Sequence, residues 1–383
     1  MSLSEPRETA LEHFTAWRQR LETYDRPLLL VGCVLLAIGV LLSMAASPAQ
    51  TARIDVEQAF YFAMRQAAYA CAGAIAVLLV ATMDARALRR FGVVLACVAA
   101  PLCVVAAFTG DEVKGAARWL YLGPLSLQPS ELLKPGLVLV WAWMLSEQMR
   151  HPRFPGRLVA LGVFAVAVGA LVLQPDIGQI ALLTLVLLAM LMMSGLAWTW
   201  IFAGLGLIGA AGFAFYHAFP HVRARVDAYL NPDGEHGLQV GASLNAFASG
   251  GLFGRGPGEG VVKRSLPDAH ADFVYAVGAE EFGLFASIGI VAVFAVLVFR
   301  GLSRSARLND PFEQLAAGGL VCLLALQAAI HIAVNMSLIP AKGMTLPFVS
   351  FGGSSMLGTA IAFGACLSFL RNRPGAFLFG RAP

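Results

Sequence analysis

An acidic, histidine-containing segment precedes one of the longest apolar runs in the sequence. Residues 265–283 read SLPDAHADFVYAVGAEEFG, and the chain then remains apolar to about residue 299. Within this segment Asp272 lies where a membrane helix would meet water, a position at which an ionised carboxylate is costly and often functional. Aspartate is also a preferred helix N-cap, and its charge suits the positive end of the helix dipole. The residue types alone leave both the functional and the capping interpretation open.

Cationic residues beside glycine and tryptophan form a second candidate group. Lys114 and Arg118 occur in KGAARWL, which also contains Trp119. Lysine and arginine pair well with phosphate oxygens, and arginine can do so through two parallel hydrogen bonds. The alternative is that these cations contact lipid head groups beside an aromatic belt. Further cations that could join a phosphate site are Arg223, Arg225 and Lys342.

A charged pair marks the start of a predicted membrane helix. In LQPSELLK, Ser130 is a natural N-cap, and Glu131 and Lys134 are close enough on one helix face to pair. Lys134 lies one turn inside the span, so it needs a partner or an aqueous cavity. Further along, Gln174-Pro175-Asp176 is typical of a tight turn whose aspartate caps the next helix.

Two glycine- and proline-rich segments interrupt the later spans. Residues 250–260, GGLFGRGPGEG, space their glycines as a phosphate-binding loop does, but no strand–loop–helix unit surrounds them. Flexibility at a membrane surface is the simpler interpretation, although the backbone N–H groups could form an anion-binding nest. Residues 340–355, PAKGMTLPFVSFGGSS, form a proline-broken approach to the final span. Irregular backbone at this depth favours a polar cavity around Lys342, Ser350, Ser354 and Ser355.

Composition identifies a polytopic membrane protein. The 383 residues are 58% hydrophobic and 13% charged, with a mean hydropathy of +0.73, whereas soluble domains contain about 25% charged residues. The net charge of +4 comes mostly from arginines in short loops, so it indicates membrane topology rather than nucleic-acid binding. The six cysteines lie in apolar runs without metal-ligand spacing, which argues against disulfides and a zinc site.

Apolar runs predict an all-α membrane protein with about ten transmembrane helices. They cover residues 28–47, 66–83, 91–109, 131–148, 158–174, 177–195, 198–216, 273–299, 314–337 and 350–370. Arginines concentrate in alternate connections and in both tails, which predicts an even number of spans with both termini in the cytoplasm. The remaining polar segments, including a large loop 217–272 between the seventh and eighth helices, then face outward.

The predicted organisation is one membrane domain of residues 27–371 between two cytoplasmic tails, residues 1–26 and 372–383. In the first tail Phe14, Trp17, Leu21 and Tyr24 recur at helical spacing. This spacing fits either a short helix on the membrane surface or a loosely ordered tail.

Six motifs in a fixed order resemble those of the SEDS family of cell-wall polymerases, the group that contains FtsW and RodA. They are KGAARWL, LQPSELLK, QPDIG, ASGGLFGRGPGEG, LPDAHADFVYAVGAEEFG and KGMTLPFVSFGGSS, and the resemblance extends from about residue 26 to 371. The KGMTLP form is closer to the division-type FtsW branch than to the elongation-type RodA branch. Two positions depart from the pattern: Ala271 stands where many members have threonine, and Arg264 where some carry an acid.

The resemblance implies the SEDS fold and a peptidoglycan glycosyltransferase that polymerises lipid II. By this resemblance Asp272 is the catalytic aspartate and general base, and undecaprenyl diphosphate is the leaving group. Glu131 and Lys134 match a pair that affects activation, and Asp268 and His270 are expected to have an activating or structural role. The residues expected to bind the substrate and its diphosphate are Lys114, Arg118, Arg223, Arg225, Lys342 and Ser354.

The resemblance also implies a setting. The protein is expected in the bacterial inner membrane at the division septum, with its active site on the periplasmic side. Expected partners are a single-span class B penicillin-binding protein transpeptidase, docking on lipid-facing sides of the late helices, and other division proteins. The one cofactor to consider is a divalent cation, Mg²⁺ or Mn²⁺, which the sequence does not identify.

Two functions of other classes remain open, a lipid II flippase and a non-catalytic division scaffold. Ion-coupled carriers usually place acids and broken helices near the bilayer midplane, whereas the acids here cluster at the outer rim. Replacing Asp272 by asparagine separates the three, because only a polymerase of the proposed kind would lose its activity in that variant.

Overall fold

Long apolar helices account for most of the chain, as the hydropathy pattern predicts. The computed structural model describes residues 23–53, 57–110, 112–113, 116–123, 125–230, 238–266, 268–340 and 343–371. The first six helices are α1 Arg26–Arg53, α2 Tyr61–Ala81, α3 Ala85–Thr109, α4 Pro129–Arg150, α5 Gly156–Leu173 and α6 Ile177–Met193. The remaining helices are α7 Trp198–Ala218, α8 Pro220–Leu230, α9 Leu238–Gly250, α10 Val274–Ser305, α11 Pro311–Asn335 and α12 Gly353–Leu370.

Eight helices in the described ranges are long and apolar enough to cross a membrane, namely α1, α2, α3, α5, α7, α10, α11 and α12. Helix α6 is shorter, with 17 residues, and α4 carries charged residues near both ends. Both helices nevertheless lie at positions predicted from the sequence. The helical membrane fold is therefore confirmed, while the count of ten spans and the side of each terminus stay predictions.

The segments expected on the outer side contain more regular structure than the sequence predicts. Residues 112–127 form two short antiparallel hairpins, β1 Glu112–Val113 with β2 Ala116–Ala117 and β3 Leu120–Leu122 with β4 Leu125–Leu127. The predicted large loop 217–272 holds α8, α9 and a 3₁₀ turn at Val262–Arg264. Helix α9 was missed because its 13 residues are too few for a membrane span and are of mixed polarity; its small residues Ser243 and Ala246 are fully buried.

Helices α11 and α12 occupy the interior of the bundle, whereas α7 lies at its periphery. Within their most apolar windows, 61% of α11 and 89% of α12 are buried, compared with 0% of α7. Glycines allow close approach of the inner helices: a Cβ at Gly39 would lie 2.4 Å from the Phe348 carbonyl oxygen, and one at Gly358 would lie 2.4 Å from that of Glu131. The segment before α12 is thus packed directly against α1.

At the predicted cytoplasmic side, Asp25 joins three helices. Its buried carboxylate, which also accepts a hydrogen bond from the Leu28 backbone N–H of α1, accepts from Arg300 Nε at 2.6 Å and from Arg304 Nη1 at 2.7 Å. Arg304 also donates to the Leu370 carbonyl at the end of α12. We call these residues, Asp25, Arg300, Arg304 and Leu370, the Asp25 clasp.

The predicted N-terminal surface helix is only partly within the described residues. Phe14, Trp17 and Leu21 lie outside them, whereas Tyr24 is 5% exposed and donates its hydroxyl hydrogen to the Ala81 carbonyl at the end of α2. Tyr24 therefore packs against the bundle rather than lying on the membrane surface.

Helix α10 is divided by Gly283. This residue has φ 78° and ψ −173°, a left-handed region that favours glycine. A Cβ here would lie 2.4 Å from the Gly254 backbone nitrogen. The helix therefore consists of a short first half, residues 274–282, and a long second half, residues 284–305. The N–H groups of Leu284 and Phe285, freed by the kink, donate to the carbonyls of Gly251 and Leu252.

Candidate functional site

Asp272 lies immediately before the first half of α10. The helix N-cap position is Phe273, so the capping interpretation of Asp272 is not supported by its position. Asp272 is partly buried, and its backbone N–H donates to the carbonyl of Asp268, which has a left-handed φ of 52°. This local turn places the Asp272 carboxylate at the end of a membrane helix, as the sequence predicts.

The approach to α12 lies directly beside Asp272. Ser350 Oγ donates to the Ala271 carbonyl at 2.7 Å, and the Phe351 N–H donates to the His270 carbonyl at 3.1 Å. A Cβ built on Gly343, which has φ +61°, would lie 3.6 Å from Asp272 Oδ2. The structure therefore brings together the two segments that carry the most polar chemistry, residues 265–283 and 340–355. A side chain at position 343 would therefore contact the carboxylate, and its positive φ favours glycine there.

The three serines of this approach have protein partners, whereas the sequence favoured a cavity around them. Ser350 accepts from the Leu346 N–H at 2.8 Å, and the hydroxyls of Ser355 and Thr345 lie 2.5 Å apart. Ser354, predicted to bind substrate, accepts from the Gln128 N–H at 2.9 Å and donates to the Ser126 carbonyl at 3.3 Å. Ser354 thus connects α12 with the start of α4.

One face of α11 carries three buried polar residues that contact these segments. Gln327 Nε2 donates to the Thr345 carbonyl at 3.0 Å, His331 Nδ1 lies 2.6 Å from the Met344 carbonyl oxygen, and Asn335 Nδ2 donates to the Asp272 carbonyl at 2.9 Å. They are 2%, 1% and 0% exposed, respectively. Sequence reasoning missed them, although their spacing of four residues on an otherwise apolar helix was a usable signal.

The predicted Glu131–Lys134 pair is present and buried. Lys134 Nζ lies 2.7 Å from Glu131 Oε2 and donates to Gln327 Oε1 at 2.8 Å. Gln179 Nε2 of α6 donates to Glu131 Oε1 at 2.9 Å. Ser130 is not the N-cap of α4, because the helix begins at Pro129, whose fixed φ suits the first helical position.

Arg118 and Asp176 form a second ion pair beside this one. Arg118 Nε lies 3.6 Å from Asp176 Oδ2, and Arg118 Nη2 donates to the Pro175 carbonyl at 3.1 Å. Asp176 occupies the N-cap position of α6 without a side-chain capping bond. Burial raises the pKa of Asp176 more than the nearby Arg118 charge lowers it. Arg118 therefore holds the 174–176 turn as well as being a candidate phosphate ligand.

The glycine-rich loop is organised by carboxylates of α10. Glu280, fully buried, accepts hydrogen bonds from the N–H groups of Val261, Val262 and Lys263 at 2.6 to 2.8 Å. Glu281 accepts from the Gly258 N–H and pairs with buried Lys263. The anion-binding nest was the alternative interpretation of these glycines; the Gly258 N–H and the three N–H groups that follow the loop bind the protein's own carboxylates.

Other predicted site residues are placed less centrally or are not described. Arg223 is exposed and lies 3.7 Å from Asp227 Oδ2 on the same helix. The His270 ring is buried between Phe62 and Phe351, with ring centroids 4.3 and 5.0 Å away. Lys114 and Lys342 lie outside the described residues, as does the side chain of Arg225. The roles predicted for these residues remain predictions.

A metal site built from protein ligands does not occur in the part of the chain that the structure describes. There, no three histidine, cysteine, aspartate or glutamate side chains come together closely enough to hold an ion. No step below depends on a divalent cation. The predicted Mg²⁺ or Mn²⁺ stays a prediction.

The fold and site define a class of protein, a polytopic helical membrane protein with a carboxylate at the end of a broken helix. The sequence profile described as "Cell cycle protein", named for FtsW, RodA and SpoVE, matches residues 26–374. A relative from Caulobacter vibrioides, named "Probable peptidoglycan glycosyltransferase FtsW", is 44% identical over 367 residues, which cover 94% of each chain. A relative of the same name from Geobacter metallireducens is 35% identical, covering 91% of this chain and 95% of that one.

Solved structures share this fold. A chain from a structure described as "Structural coordination of polymerization and crosslinking by a peptidoglycan synthase complex" has a TM-score of 0.74 at 24% identity, covering 91% of this chain and 97% of that one. The rod shape determining protein RodA of Thermus thermophilus has a TM-score of 0.66 at 25% identity, covering 91% and 96%. The chain belongs to the FtsW, RodA and SpoVE family of cell cycle proteins, which confirms the resemblance seen in its motifs.

Proposed function

We propose that the protein is a peptidoglycan glycosyltransferase of the FtsW type, which polymerises lipid II at the division septum. The relative that shares 44% of its residues over 94% of both chains carries that activity in its name. The observation that carries the mechanism is the placement of Asp272, which is partly buried at the end of α10 and faces the small residue Gly343. In the proposed complex the hydroxyl of the acceptor sugar approaches this carboxylate.

In the proposed reaction Asp272 is the general base. It takes the proton from the acceptor hydroxyl as that oxygen attacks the anomeric carbon of the donor sugar. The new carbon–oxygen bond forms as the bond to the diphosphate breaks, and undecaprenyl diphosphate leaves with the electron pair. The anomeric configuration is inverted in this single displacement. One carboxylate suffices because the diphosphate is already a good leaving group, whereas a glycosidase also needs an acid.

Cations must stabilise the negative charge that grows on the departing diphosphate. Lys114, Arg118, Arg223, Arg225 and Lys342 are the proposed sources of this charge. Of the two whose side chains are described, Arg118 is more firmly held than Arg223, since it contacts Asp176 and the Pro175 carbonyl after α5. Its fixed position avoids reorganisation during the reaction.

The proposal is tested by the Asp272→Asn variant. Purified wild-type protein in detergent is given lipid II, and glycan chains are measured by gel electrophoresis. We expect the variant to lose at least about 100-fold in rate, the lower end of what general base catalysis contributes. Asp84→Asn, which changes an exposed aspartate that accepts a hydrogen bond from the Ala87 N–H at the start of α3, is the control and should retain activity. Polymerisation at the wild-type rate by Asp272→Asn would refute the mechanism.

The same variant separates the other candidate functions. A flippase would move lipid II across vesicle membranes whether or not residue 272 carries a charge, and a scaffold would support division in cells that express Asp272→Asn at normal levels. If the protein is a polymerase, Asp272→Asn should cause a division defect together with the loss of glycan synthesis.

The proposed setting is the bacterial inner membrane, with the site on the periplasmic side and a single-span class B penicillin-binding protein transpeptidase as partner. An apolar groove of about 360 Å³ between α10 and α11 has room for side chains of a partner helix. Its α11 wall contains Ala325, Ala329 and Ala333 at intervals of four residues. Small residues at this spacing allow another membrane helix to approach closely.

A further inference from the structure

The face of α11 opposite the alanines carries the polar residues Gln327, His331 and Asn335. Successive members are four residues apart, so they lie one above the other on the helix. Each contacts the backbone of a different site residue, namely Thr345, Met344 and Asp272. Asn335 in addition accepts from the Ala276 N–H at 3.1 Å and so fixes the first turn of α10. One rigid helix therefore holds both segments that flank the carboxylate.

Gln327 has a connection that the other two lack. Its carbonyl oxygen accepts from Lys134 Nζ at 2.8 Å, while its amide nitrogen donates to the Thr345 carbonyl at 3.0 Å and lies 3.2 Å from Thr345 Oγ1. The amide thus bridges the buried Glu131–Lys134 pair and the segment beside Asp272. All of these side chains are almost completely removed from solvent except that of Thr345, which is partly buried.

Because this bridge is buried, water cannot take the place of a hydrogen bond that it loses. Away from water, an amide that loses one partner leaves that partner unsatisfied, at a considerable cost. A shift of Lys134 must therefore be followed by Gln327 and then by Thr345. Thr345 in turn shares a hydrogen bond with Ser355 at the start of α12.

We propose that Gln327 is a positioning residue that couples the Glu131–Lys134 pair to the 343–345 segment and so sets the geometry in front of Asp272. The inference rests on the proposed glycosyltransferase function. It predicts that Gln327 affects the rate of the chemical step and leaves substrate affinity nearly unchanged, because the contacts of Gln327 are with Thr345 and Lys134 rather than with substrate.

The test compares Gln327→Met with Gln314→Met in a lipid II polymerisation assay. Both variants replace glutamine by an apolar residue of similar size on α11, and Gln314 lies in the first turn of the helix, at the end remote from Gln327. We expect Gln327→Met to lower kcat by about 10- to 100-fold with KM within about twofold, since a misplacement of about 1 Å can cost on the order of 100-fold. Gln314→Met should match the wild type.

Coupling is tested by adding Lys134→Met to both backgrounds. If Gln327 transmits the position of Lys134, the double variant Lys134→Met/Gln327→Met should be no slower than the slower single variant. Multiplication of the two single effects would contradict coupling. If Gln327→Met does not fold, Gln327→Asn replaces it, because the shorter amide cannot span Lys134 and Thr345 at once, and the same lowering of kcat is expected.

The outcomes distinguish the inference from the function on which it rests. Failure of wild-type protein to make glycan, or full activity of Asp272→Asn, would overturn the proposed function. An active wild type and an inactive Asp272→Asn, together with a Gln327→Met variant whose kcat equals that of Gln314→Met, would overturn only the role of Gln327. A raised KM at unchanged kcat would also overturn it, since it would indicate a binding rather than a positioning role.

Discussion

The Asp25 carboxylate illustrates how a single buried acid is held ionised at the end of a membrane helix. Burial raises the pKa of Asp25. The hydrogen bonds from Arg300 and the Leu28 N–H, together with the charges of Arg304 and Arg300, lower it by more than burial raises it, so that the pKa lies below the ordinary 3.8. The native protein therefore binds a proton at Asp25 less readily than the unfolded chain. The Asp25 clasp contributes stability at neutral pH that is lost in acid.

We expect Asp25→Asn to lower the stability of the protein at pH 7 by about 1–3 kcal/mol, the usual cost of leaving buried partners unsatisfied. Partial exposure of both arginines keeps the value from being larger. Thermal unfolding in detergent measures the difference. The difference in stability should shrink as the pH falls below about 4, the pKa of aspartate in the unfolded chain. It should vanish below the pKa of Asp25 in the native protein.

Asp84→Asn is the matched control for this prediction. Asp84 is an exposed N-cap of α3 that accepts from the Ala87 N–H, and asparagine caps helices about as well as aspartate. Its melting temperature should stay near that of the wild type. A pH-independent difference for Asp25→Asn would show that the ion pairs of the clasp do not stabilise the fold.

Individual residues were predictable from the sequence where their type limits their use. An acid at a membrane border and two opposite charges within one helical turn need partners, and both Asp272 and the Glu131–Lys134 pair were found in this way. Glu280 could not be assigned, because its role depends on three backbone N–H groups that only the folded loop brings together. Ser130 was misassigned because the helix starts at Pro129, two positions earlier than a cap at Ser130 would require.

At the scale of elements, the kink of α10 depends on Gly283. We expect Gly283→Ala to destabilise the protein by at least about 2 kcal/mol, since a left-handed conformation costs an L-residue about 1–2 kcal/mol and the added Cβ would also meet the backbone of Gly254 and Leu252. The measurement is thermal unfolding in detergent, together with the yield of folded protein by size-exclusion chromatography.

Gly289→Ala in the second half of the same helix is the control. A Cβ at Gly289 has no neighbouring heavy atom within 4 Å, and alanine is the better helix former. This variant should be as stable as the wild type or slightly more so. Equal stability of the two variants would mean that the kink does not need glycine.

Helices and strands were predicted well where hydropathy determines them and poorly where they depend on contacts with other parts of the protein. Ten apolar runs correspond to observed helices, because a membrane span must be long and apolar. The hairpins of residues 112–127 and helix α9 are short and of mixed polarity, so their structure depends on tertiary contacts such as the Ser243 hydroxyl to the Asn335 carbonyl. The division of α10 could not be inferred from a single glycine in a helical pattern.

At the scale of the whole molecule, the apolar groove between α10 and α11 is proposed as the docking surface of the transpeptidase helix. We expect Ala329→Trp, which fills the groove, to abolish co-purification with a class B penicillin-binding protein expressed in the same cells. The reason is steric, because a membrane helix cannot approach closely past an indole. Ala72→Trp, on an exposed position of α2, should leave co-purification unchanged.

Retained co-purification of Ala329→Trp would place the partner elsewhere on the bundle. The groove was not predictable from the sequence, because apolar side chains facing lipid and those facing a partner have the same composition. Only the positions of the alanines on α11, relative to the polar residues on its other face, distinguish the two sides of that helix.

The exchange of contacts between the glycine-rich loop and α10 has a consequence for engineering. The loop supplies carbonyls to the second half of the helix, and the first half supplies carboxylates to the loop. A chimera that replaces residues 250–263 with those of a distant homologue would separate the loop's hydrogen-bonding groups from their partners on α10. Swapping 250–285 as one cassette would transplant these donors and acceptors together.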